Sequence, residues 1–244
     1  GINGLSSANS VTMNGNGVTV NRGGNSSFLT FDGITHFTVN NFNFVNETPN
    51  TAMFGIMMRN ACDSITIKNN TIDVGIGYTT SASCAVCASN SLTSATSSGN
   101  NANNITIDSN QIIGAYYGIS NYGTSSSNFS KGWKITNNNF ENQYYYSLRL
   151  YYGENMLVHN NEISRATRSA VSSMYAIYNY YVKNSSITNN KIHDLRGLTN
   201  YAIYLSQSTN SLGNEFNISN NAIYDLDNTG TTYAFYLTGT RNFI

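Results

Sequence analysis

The side chains that could do acid–base chemistry are few, because only 10% of the 244 residues are charged. Asp194 and Asp225 could form a pair of carboxylates, which is the arrangement that glycoside hydrolases use to protonate a leaving group and activate water. Arginine and histidine near such a pair could hold an anion or move a proton. The candidate set is Arg165, Arg168, His193, Asp194 and Asp225. We favour a structural interpretation of these charges, in which opposite charges fix the register of neighbouring strands, as Glu162 beside Lys191 would.

The composition argues against several classes of protein. The formal net charge is +0 and the pI is about 7.0, so the chain lacks the positive field with which proteins bind nucleic acid or anionic membranes. Hydrophobic residues make up 40% of the chain and aromatic residues 12%, which is enough to build a core. No apolar run approaches the ~20 residues of a membrane span. We expect no nucleic-acid or membrane partner, no metal and no cofactor.

One eight-residue motif occurs seven times along the chain. It consists of an apolar residue, Thr or a similar residue, an apolar residue, any residue, a polar residue, Asn, any residue, and Ile or Phe. Its copies begin at Phe37, Ile65, Ile105, Trp133, Met156, Ser185 and Phe216. From Asn41 in the first copy to Asn221 in the last there are 180 positions over six intervals, a mean period of about 30 residues, which predicts a solenoid.

Each copy is predicted to place an asparagine at the corner between two short strands. Asparagine tolerates the left-handed backbone conformation that a sharp bend requires, and its amide can both donate and accept a hydrogen bond. At the ~4.8 Å spacing of stacked strands, such residues can form a ladder of amides inside the solenoid. The predicted ladder consists of Asn41, Asn70, Asn110, Asn138, Asn161, Asn190 and Asn221.

A further short strand precedes each copy, and its alternation separates inward from outward side chains. Ile177, Ile203 and Phe235 are expected to point inward. The outward column, our candidate ligand-binding surface, consists of Arg149, Tyr178, Tyr204 and Tyr236. Aromatic rings repeated along a solenoid offer apolar platforms to sugar rings. A tyrosine ladder that stacks on itself and only stabilises the sheet is the alternative.

With these motifs, the chain resembles the right-handed parallel β-helix repeat superfamily, the pectate-lyase-like solenoids, over roughly residues 18 to 240. The resemblance implies an all-β fold, a single right-handed parallel β-helix of about eight coils with an internal asparagine ladder. It leaves the activity open, because the same solenoid serves lyases, glycosidases, tail-spike proteins and surface adhesins. The Asn-, Ser-, Thr- and Tyr-rich composition also resembles that of secreted bacterial surface proteins.

The resemblance bears on the charged candidates as well. A lyase of this superfamily would need a positive group near the substrate carboxylate and an arginine or lysine base, for which Arg165, Arg168, His193 and Asp194 are the best constellation. The sequence shows no acidic cluster of the calcium-binding lyase kind. We therefore favour a non-catalytic module, extracellular or at the cell surface, that acts as a stalk or adhesin contacting polysaccharide or other cell-surface material. The alternative is a polysaccharide lyase or glycoside hydrolase acting in a groove along the solenoid.

Three inserts lengthen the repeats, at residues 89–103, 121–131 and 206–214. They are expected on one edge of the solenoid, where they would form the wall of a groove, with the first as a mobile flap. Residues 1–244 are predicted to form one domain, a fragment of a longer protein or a subunit whose solenoid ends are capped by neighbouring domains or subunits.

The three cysteines are Cys62, Cys84 and Cys87, and their spacing matches no recognisable zinc or redox motif. We expect them to act as small hydrophobic residues on strands. A disulfide between Cys62 and one of the others is the alternative.

Overall fold

The computed structural model describes residues 6–24, 26–48, 52–208, 210, 215–226 and 229–241. Over this part the chain winds into a right-handed parallel β-helix, and its strands, numbered β1 to β24 in chain order, stack on three faces. The strand pairs of all three faces are parallel and keep residues of equal repeat position opposite each other. The predicted fold is confirmed.

The first face holds the apolar strand that opens each motif. It begins with the first halves of two long strands that bend onto the second face, β1 (Val11–Arg22) and β3 (Thr35–Asn46). It continues with β5 (Cys62–Lys68), β8 (Ala102–Asn103), β9 (Thr106–Asp108), β13 (Lys134–Thr136), β16 (Leu157–His159), β19 (Ser186–Thr188) and β22 (Asn217–Ser219).

The second face follows the asparagine corner of each motif. After the second halves of β1 and β3, it consists of β6 (Thr71–Gly75), β10 (Gln111–Gly114), β14 (Asn139–Glu141), β17 (Glu162–Arg165), β20 (Lys191–Leu195) and β23 (Ala222–Ile223).

The third face holds the strand that precedes each motif. It consists of β2 (Ser26–Asp32), β4 (Met53–Arg59), β7 (Ser83–Ala88), β11 (Tyr117–Tyr122), β15 (Tyr146–Glu154), β18 (Met174–Lys183), β21 (Asn200–Ser206) and β24 (Thr232–Thr238). The short strand β12 (Ser130–Lys131) pairs with the end of β15. Apart from β12, these strands form a single stack in which about seven turns separate β2 from β24, close to the expected number of coils.

The interior is filled by columns of apolar side chains, one residue from each coil. On the first face, successive strands bury Ile67, Ile107, Ile135, Val158 and Ile187 at paired positions. Because side chains alternate along a strand, the neighbouring Thr and charged residues of the motif face outward. In the described ranges no helix is long and apolar enough to cross a bilayer.

The asparagine ladder runs from Asn70 to Asn221 inside the corner between the first and second faces. The Oδ1 of Asn138 accepts from the backbone N–H and the Nδ2 of Asn110, at 2.9 and 3.0 Å. The Nδ2 of Asn138 donates in turn to the Ile107 carbonyl, at 2.9 Å, and to Asn161 Oδ1, at 3.0 Å. Each buried amide therefore joins three successive coils and satisfies backbone groups that the bend would leave without partners.

Two details of the predicted ladder are wrong. Asn41 is exposed and lies outside the ladder, because it is the fifth residue of its motif. The sixth is Phe42, whose backbone N–H donates to Asn70 Oδ1 at 3.0 Å. The left-handed residue is the one before the ladder asparagine, so the bend and the amide ladder use different side chains. These left-handed residues are Asn69, Ser109, Asn137, Asn160, Asn189 and Asn220.

Candidate functional site

The predicted outward column is present on the third face. Arg149 of β15 pairs with Tyr178 of β18, which pairs with Tyr204 of β21 and through it with Tyr236 of β24. The ring centroids of Tyr178 and Tyr204 lie 4.7 Å apart, and those of Tyr204 and Tyr236 lie 4.8 Å apart. We call these four residues the Tyr204 column.

A second column lies beside the first and was not singled out from the sequence. Its members are the first residue of the Tyr-Ala-Ile-Tyr pattern and the equivalent residues of other coils. This residue faces outward because the small residue that follows it faces the interior. We call it the Tyr201 column. It consists of Tyr117, Tyr146, Tyr175, Tyr201 and Tyr233. Tyr175 and Tyr201 stack with centroids 4.5 Å apart and ring planes 6° apart.

The two columns meet edge to face. The ring planes of Tyr201 and Tyr204 make an angle of 77°, with centroids 5.4 Å apart, and Tyr233 and Tyr236 repeat the arrangement at 78°. Stacked rings within a column and tilted rings between columns are the two favoured geometries of aromatic pairs. The resulting herringbone leaves the rings from Tyr146 to Tyr236 half-buried. Burial raises the pKa of Tyr178 well above its ordinary value, so the phenols stay protonated at neutral pH.

Arg149 closes one end of the Tyr204 column and is buried, at 8% exposure. Its guanidinium carbon lies 3.8 Å from the Tyr151 ring centroid and 5.0 Å from that of Tyr122, distances typical of cation–π contacts. Of the four residues predicted to bind a ligand, the three tyrosines are therefore half-exposed, whereas Arg149 is buried and contacts the rings around it.

The earlier coils of the third face carry an apolar outward surface that the chain itself covers. Buried Ala95, from the first insert, packs with a cluster that consists of Phe54, Met57, Cys84, Cys87 and Tyr117. Ser120 Oγ donates to the Ala95 carbonyl at 2.9 Å, and Ser89 Oγ accepts from the backbone N–H of Ser97 at 3.1 Å. The first insert, expected to be a mobile flap, is thus packed onto the sheet.

The first two inserts share an edge, as predicted; of the third, residues 209 and 211–214 lie outside the described residues. Asn100 and Asn103 from the first, with Asn128 and Phe129 from the second, line an open cleft of about 520 Å³ at the corner between the third and first faces. Lys183 Nζ lies 4.3 Å from the centroid of the Phe129 ring and supports that wall. The lining is dominated by uncharged amides.

The three cysteines are buried thiols, as expected for small hydrophobic residues. Cys62 lies in the main core, whereas Cys84 and Cys87 lie in the cluster under Ala95. Burial raises the pKa of the Cys84 thiol, which keeps it protonated and unreactive.

The two candidate arginines are buried and bind backbone carbonyls. Arg165 donates through Nε to Arg196 O, through Nη1 to Tyr144 O and through Nη2 to Ser172 O, at 2.5, 2.5 and 2.8 Å. Arg168 makes the same kind of contact, with the carbonyls of Ala170, Asn142 and Tyr78. Burial lowers the pKa of each to about 10, so both remain charged at neutral pH. The N–H donors of both guanidinium groups are therefore bound to backbone carbonyls and hold the loops that carry them.

His193 and Asp194 contact a different set of groups. His193 Nδ1 lies 2.6 Å from Asp194 Oδ2 and Nε2 lies 2.8 Å from Glu162 Oε1, and the His193 ring stacks on Tyr224. Arg165 and Asp194, two members of the predicted constellation, are not paired across coils, because pairing passes from Ser164–His193 directly to Arg165–Leu195 and Asp194 is an extra, left-handed residue.

Asp225 is exposed and also left-handed. The expected cross-coil pair of Lys191 and Glu162 is present at 2.9 Å. Over the described ranges, no group of three or more His, Cys, Asp or Glu side chains could hold a metal ion. The five acid–base candidates therefore have different surroundings. Arg165 and Arg168 are buried against backbone carbonyls, His193 and Asp194 form a partly exposed group with Glu162, and Asp225 is exposed.

We expect Arg165→Met to destabilise the fold by about 2 kcal/mol, because the methionine fills the space but removes the three hydrogen bonds that the buried guanidinium donates to backbone carbonyls. Urea unfolding followed by circular dichroism measures the effect. Arg196→Met is the matched control, since exposed Arg196 makes one hydrogen bond, to Ala166 O, and should change stability by at most about 0.5 kcal/mol. Equal effects of the two substitutions would show that Arg165 does not clamp the loops.

Comparison with known proteins agrees with this architecture. Residues 127–243 match the family model described as right handed beta helix region. The chain is a right-handed parallel β-helix. Among solved structures, this β-helix is similar to the Streptococcus pneumoniae surface protein and adhesin PfbA, with 11% identity, a TM-score of 0.40, and coverage of 84% of this chain and 69% of that chain. A likeness this distant carries no argument about function. No match was found among curated proteins.

Proposed function

We propose that this β-helix is a non-catalytic extracellular module, a rigid stalk or adhesive surface that contacts polysaccharide or other cell-surface material through the Tyr201 and Tyr204 columns. The observation that carries the proposal is the pair of half-exposed tyrosine columns on successive coils. Tyrosine combines a large apolar body with a polar hydroxyl, and this combination favours contact surfaces that meet both C–H groups and hydroxyls.

The geometry of the columns determines how a sugar would bind. Each ring is partly covered by the next ring of its column, so the solvent meets strips of ring face, ring edges and phenolic hydroxyls. Sugar C–H groups can pack on the strips, and sugar hydroxyls can hydrogen-bond with the phenols. Contacts repeated at the ~4.8 Å spacing of the strands favour an extended polymer lying along the solenoid over a single small molecule.

The charge distribution favours an uncharged ligand. The formal net charge is +0, and the one guanidinium in the Tyr204 column is buried beneath rings. A surface without a strong field does not collect a charged polymer from solution. We therefore expect affinity that changes little with ionic strength. The carbonyl contacts of Arg165 and Arg168 make a lyase or glycosidase built on them the less favoured alternative.

Tyr204→Ala should weaken polysaccharide binding about tenfold, since a ring contact contributes about 0.5–1.5 kcal/mol beyond its buried area. Tyr204 is central, between Tyr178 and Tyr236, so its removal interrupts the platform. Affinity electrophoresis in gels that contain neutral polysaccharides measures the loss.

The matched control is Tyr224→Ala, because Tyr224 is 40% exposed but lies away from both columns, against His193. Thermal unfolding of both variants separates lost binding from lost folding. Unchanged retardation of folded Tyr204→Ala, or equal losses in the two variants, would refute the assignment.

A further inference from the structure

Sixteen of the eighteen tyrosines form one continuous network of ring contacts, in which neighbouring centroids lie no more than 6.1 Å apart. Tyr224 lies apart from it, stacked on His193. The members are Tyr116, Tyr117, Tyr122, Tyr144, Tyr145, Tyr146, Tyr151, Tyr152, Tyr175, Tyr178, Tyr180, Tyr181, Tyr201, Tyr204, Tyr233 and Tyr236. This arrangement has a chemical consequence that is independent of ligand binding.

From this network we propose that the third face is a site of oxidative cross-linking, where neighbouring tyrosines of successive coils are joined as dityrosine by a haem peroxidase and hydrogen peroxide. Such bonds would tie one coil covalently to the next along the outside of the solenoid. The proposal goes beyond the proposed function and does not depend on it.

The ring geometry brings the reacting atoms together. Tyr175 and Tyr201 occupy paired positions of parallel strands with ring planes 6° apart, so equivalent ring carbons are separated by about the centroid distance of 4.5 Å. The same holds for Tyr178 and Tyr204, at 4.7 Å and 21°. Both pairs are half-buried, which leaves room for the side-chain rotation that brings two ortho carbons into bonding contact.

The step balances with the named oxidant. Two tyrosines each lose one electron and one proton to become phenoxyl radicals, and hydrogen peroxide takes up both electrons and both protons to give two water molecules. The radicals form a bond between two ortho carbons, and each ortho hydrogen then moves to its oxygen and restores the phenol. The linked product is two hydrogen atoms lighter than the separate residues.

Residues that could compete for the oxidant are shielded. Trp133 is fully buried, with its indole N–H donating to the Ala102 carbonyl, and the three cysteines are buried as well. Of tryptophan, cysteine and tyrosine, which a peroxidase converts to radicals, the described surface therefore presents only tyrosine. Partly buried Met13 can be oxidised by peroxide, but the product is a sulfoxide and forms no cross-link. Within the network, a radical formed on one ring has another ring in contact with it, which favours coupling inside one molecule over coupling between molecules.

The test treats the dilute, folded chain with peroxidase and hydrogen peroxide and then digests it with trypsin. Cleavage after lysine and arginine places Tyr175 and Tyr178 in peptide 169–183, and Tyr201 and Tyr204 in peptide 197–241. We expect a linked pair of these two peptides, two hydrogens lighter than their sum, with dityrosine fluorescence.

Phenylalanine variants decide between specific and random coupling. The double substitution Tyr201→Phe and Tyr204→Phe keeps the stacked rings but removes their phenols, and should lower the yield of the linked pair about tenfold, as should unfolding in urea before oxidation. Tyr224→Phe, the matched control in the same peptide, should leave the yield unchanged. The proposal is overturned if the double variant or the unfolded chain matches the wild-type yield. It is also overturned if the pair is absent while the same peroxidase couples a free tyrosine ester.

Discussion

Replacing Asn138 with leucine should destabilise the fold by about 3 kcal/mol, because a buried donor or acceptor left without a partner costs about 1–3 kcal/mol. Asn138 is 1% exposed, and leucine has a similar size but no polar atoms. The substitution removes the acceptor of the Asn110 backbone N–H and the donor of the Ile107 carbonyl. Since coils contact only their neighbours, a break at this central coil weakens both flanking interfaces.

The midpoint of urea unfolding, followed by circular dichroism, measures this effect. Asn139→Leu is the matched control: Asn139 is the next residue, points outward and hydrogen-bonds to Glu141, so its replacement should change stability by at most about 0.5 kcal/mol. A small effect of Asn138→Leu, similar to that of the control, would mean that the amide ladder contributes little to holding the coils together.

Alkaline pH should unfold the chain between about pH 10 and 12, because burial of the tyrosine columns opposes ionisation. Burial raises the pKa of Tyr117 from 10.0 to about 12, and it also raises the pKa of Tyr146, Tyr175 and Tyr178. The folded chain then binds more protons than the unfolded chain above pH 10. The stability that protonated phenols provide is complete below that pH and is lost as the pH rises through the folded-state pKa values.

The two buried arginines change the pH dependence of stability in the opposite direction, but they are fewer than the buried tyrosines. Their pKa values are lowered from 12.5 to about 10, so between these values they favour the folded state as the pH rises. Phenolate absorbance and circular dichroism, recorded together against pH, should change in one step. Tyr146→Phe should move the midpoint to higher pH and Tyr224→Phe should not. Ionisation of the columns near pH 10 with the fold intact would contradict the prediction.

The repeat made most of the architecture predictable. A fixed Asn beside alternating apolar residues at a period of about 30 indicated stacked coils and a ladder, because both features need one residue type at one position per coil. The exceptions are local. In the first motif the sixth residue counted from Phe37 is Phe42, so Asn41, assigned to the ladder, stands at the fifth position and this copy has no ladder asparagine. The bend and the ladder were assigned to one asparagine because either member of an Asn-Asn pair tolerates the left-handed conformation.

The candidate site was only partly visible in the sequence. The outward places of Tyr178, Tyr204 and Tyr236 followed from alternation, whereas the Tyr201 column required knowing that the small residue after Tyr175 faces inward, which breaks strict alternation. The burial of Arg165 and Arg168 was not predictable, because it depends on carbonyls of irregular turns that share no sequence pattern. Composition also gave no sign that the first insert packs onto the sheet through Ala95, whose carbonyl accepts a hydrogen bond from Ser120 Oγ.

Polysaccharide binding through the tyrosine columns is tested most directly on a glycan array at low and high salt. The array is probed with the wild-type chain and with a triple variant in which Tyr178, Tyr204 and Tyr236 are replaced by alanine. We expect the wild type to bind neutral polysaccharides with little dependence on salt. We expect the triple variant, shown to be folded by circular dichroism, to lose the binding. Binding that survives the triple substitution would contradict this expectation. So would binding that is lost on raising the salt concentration, because a charged surface would then be responsible.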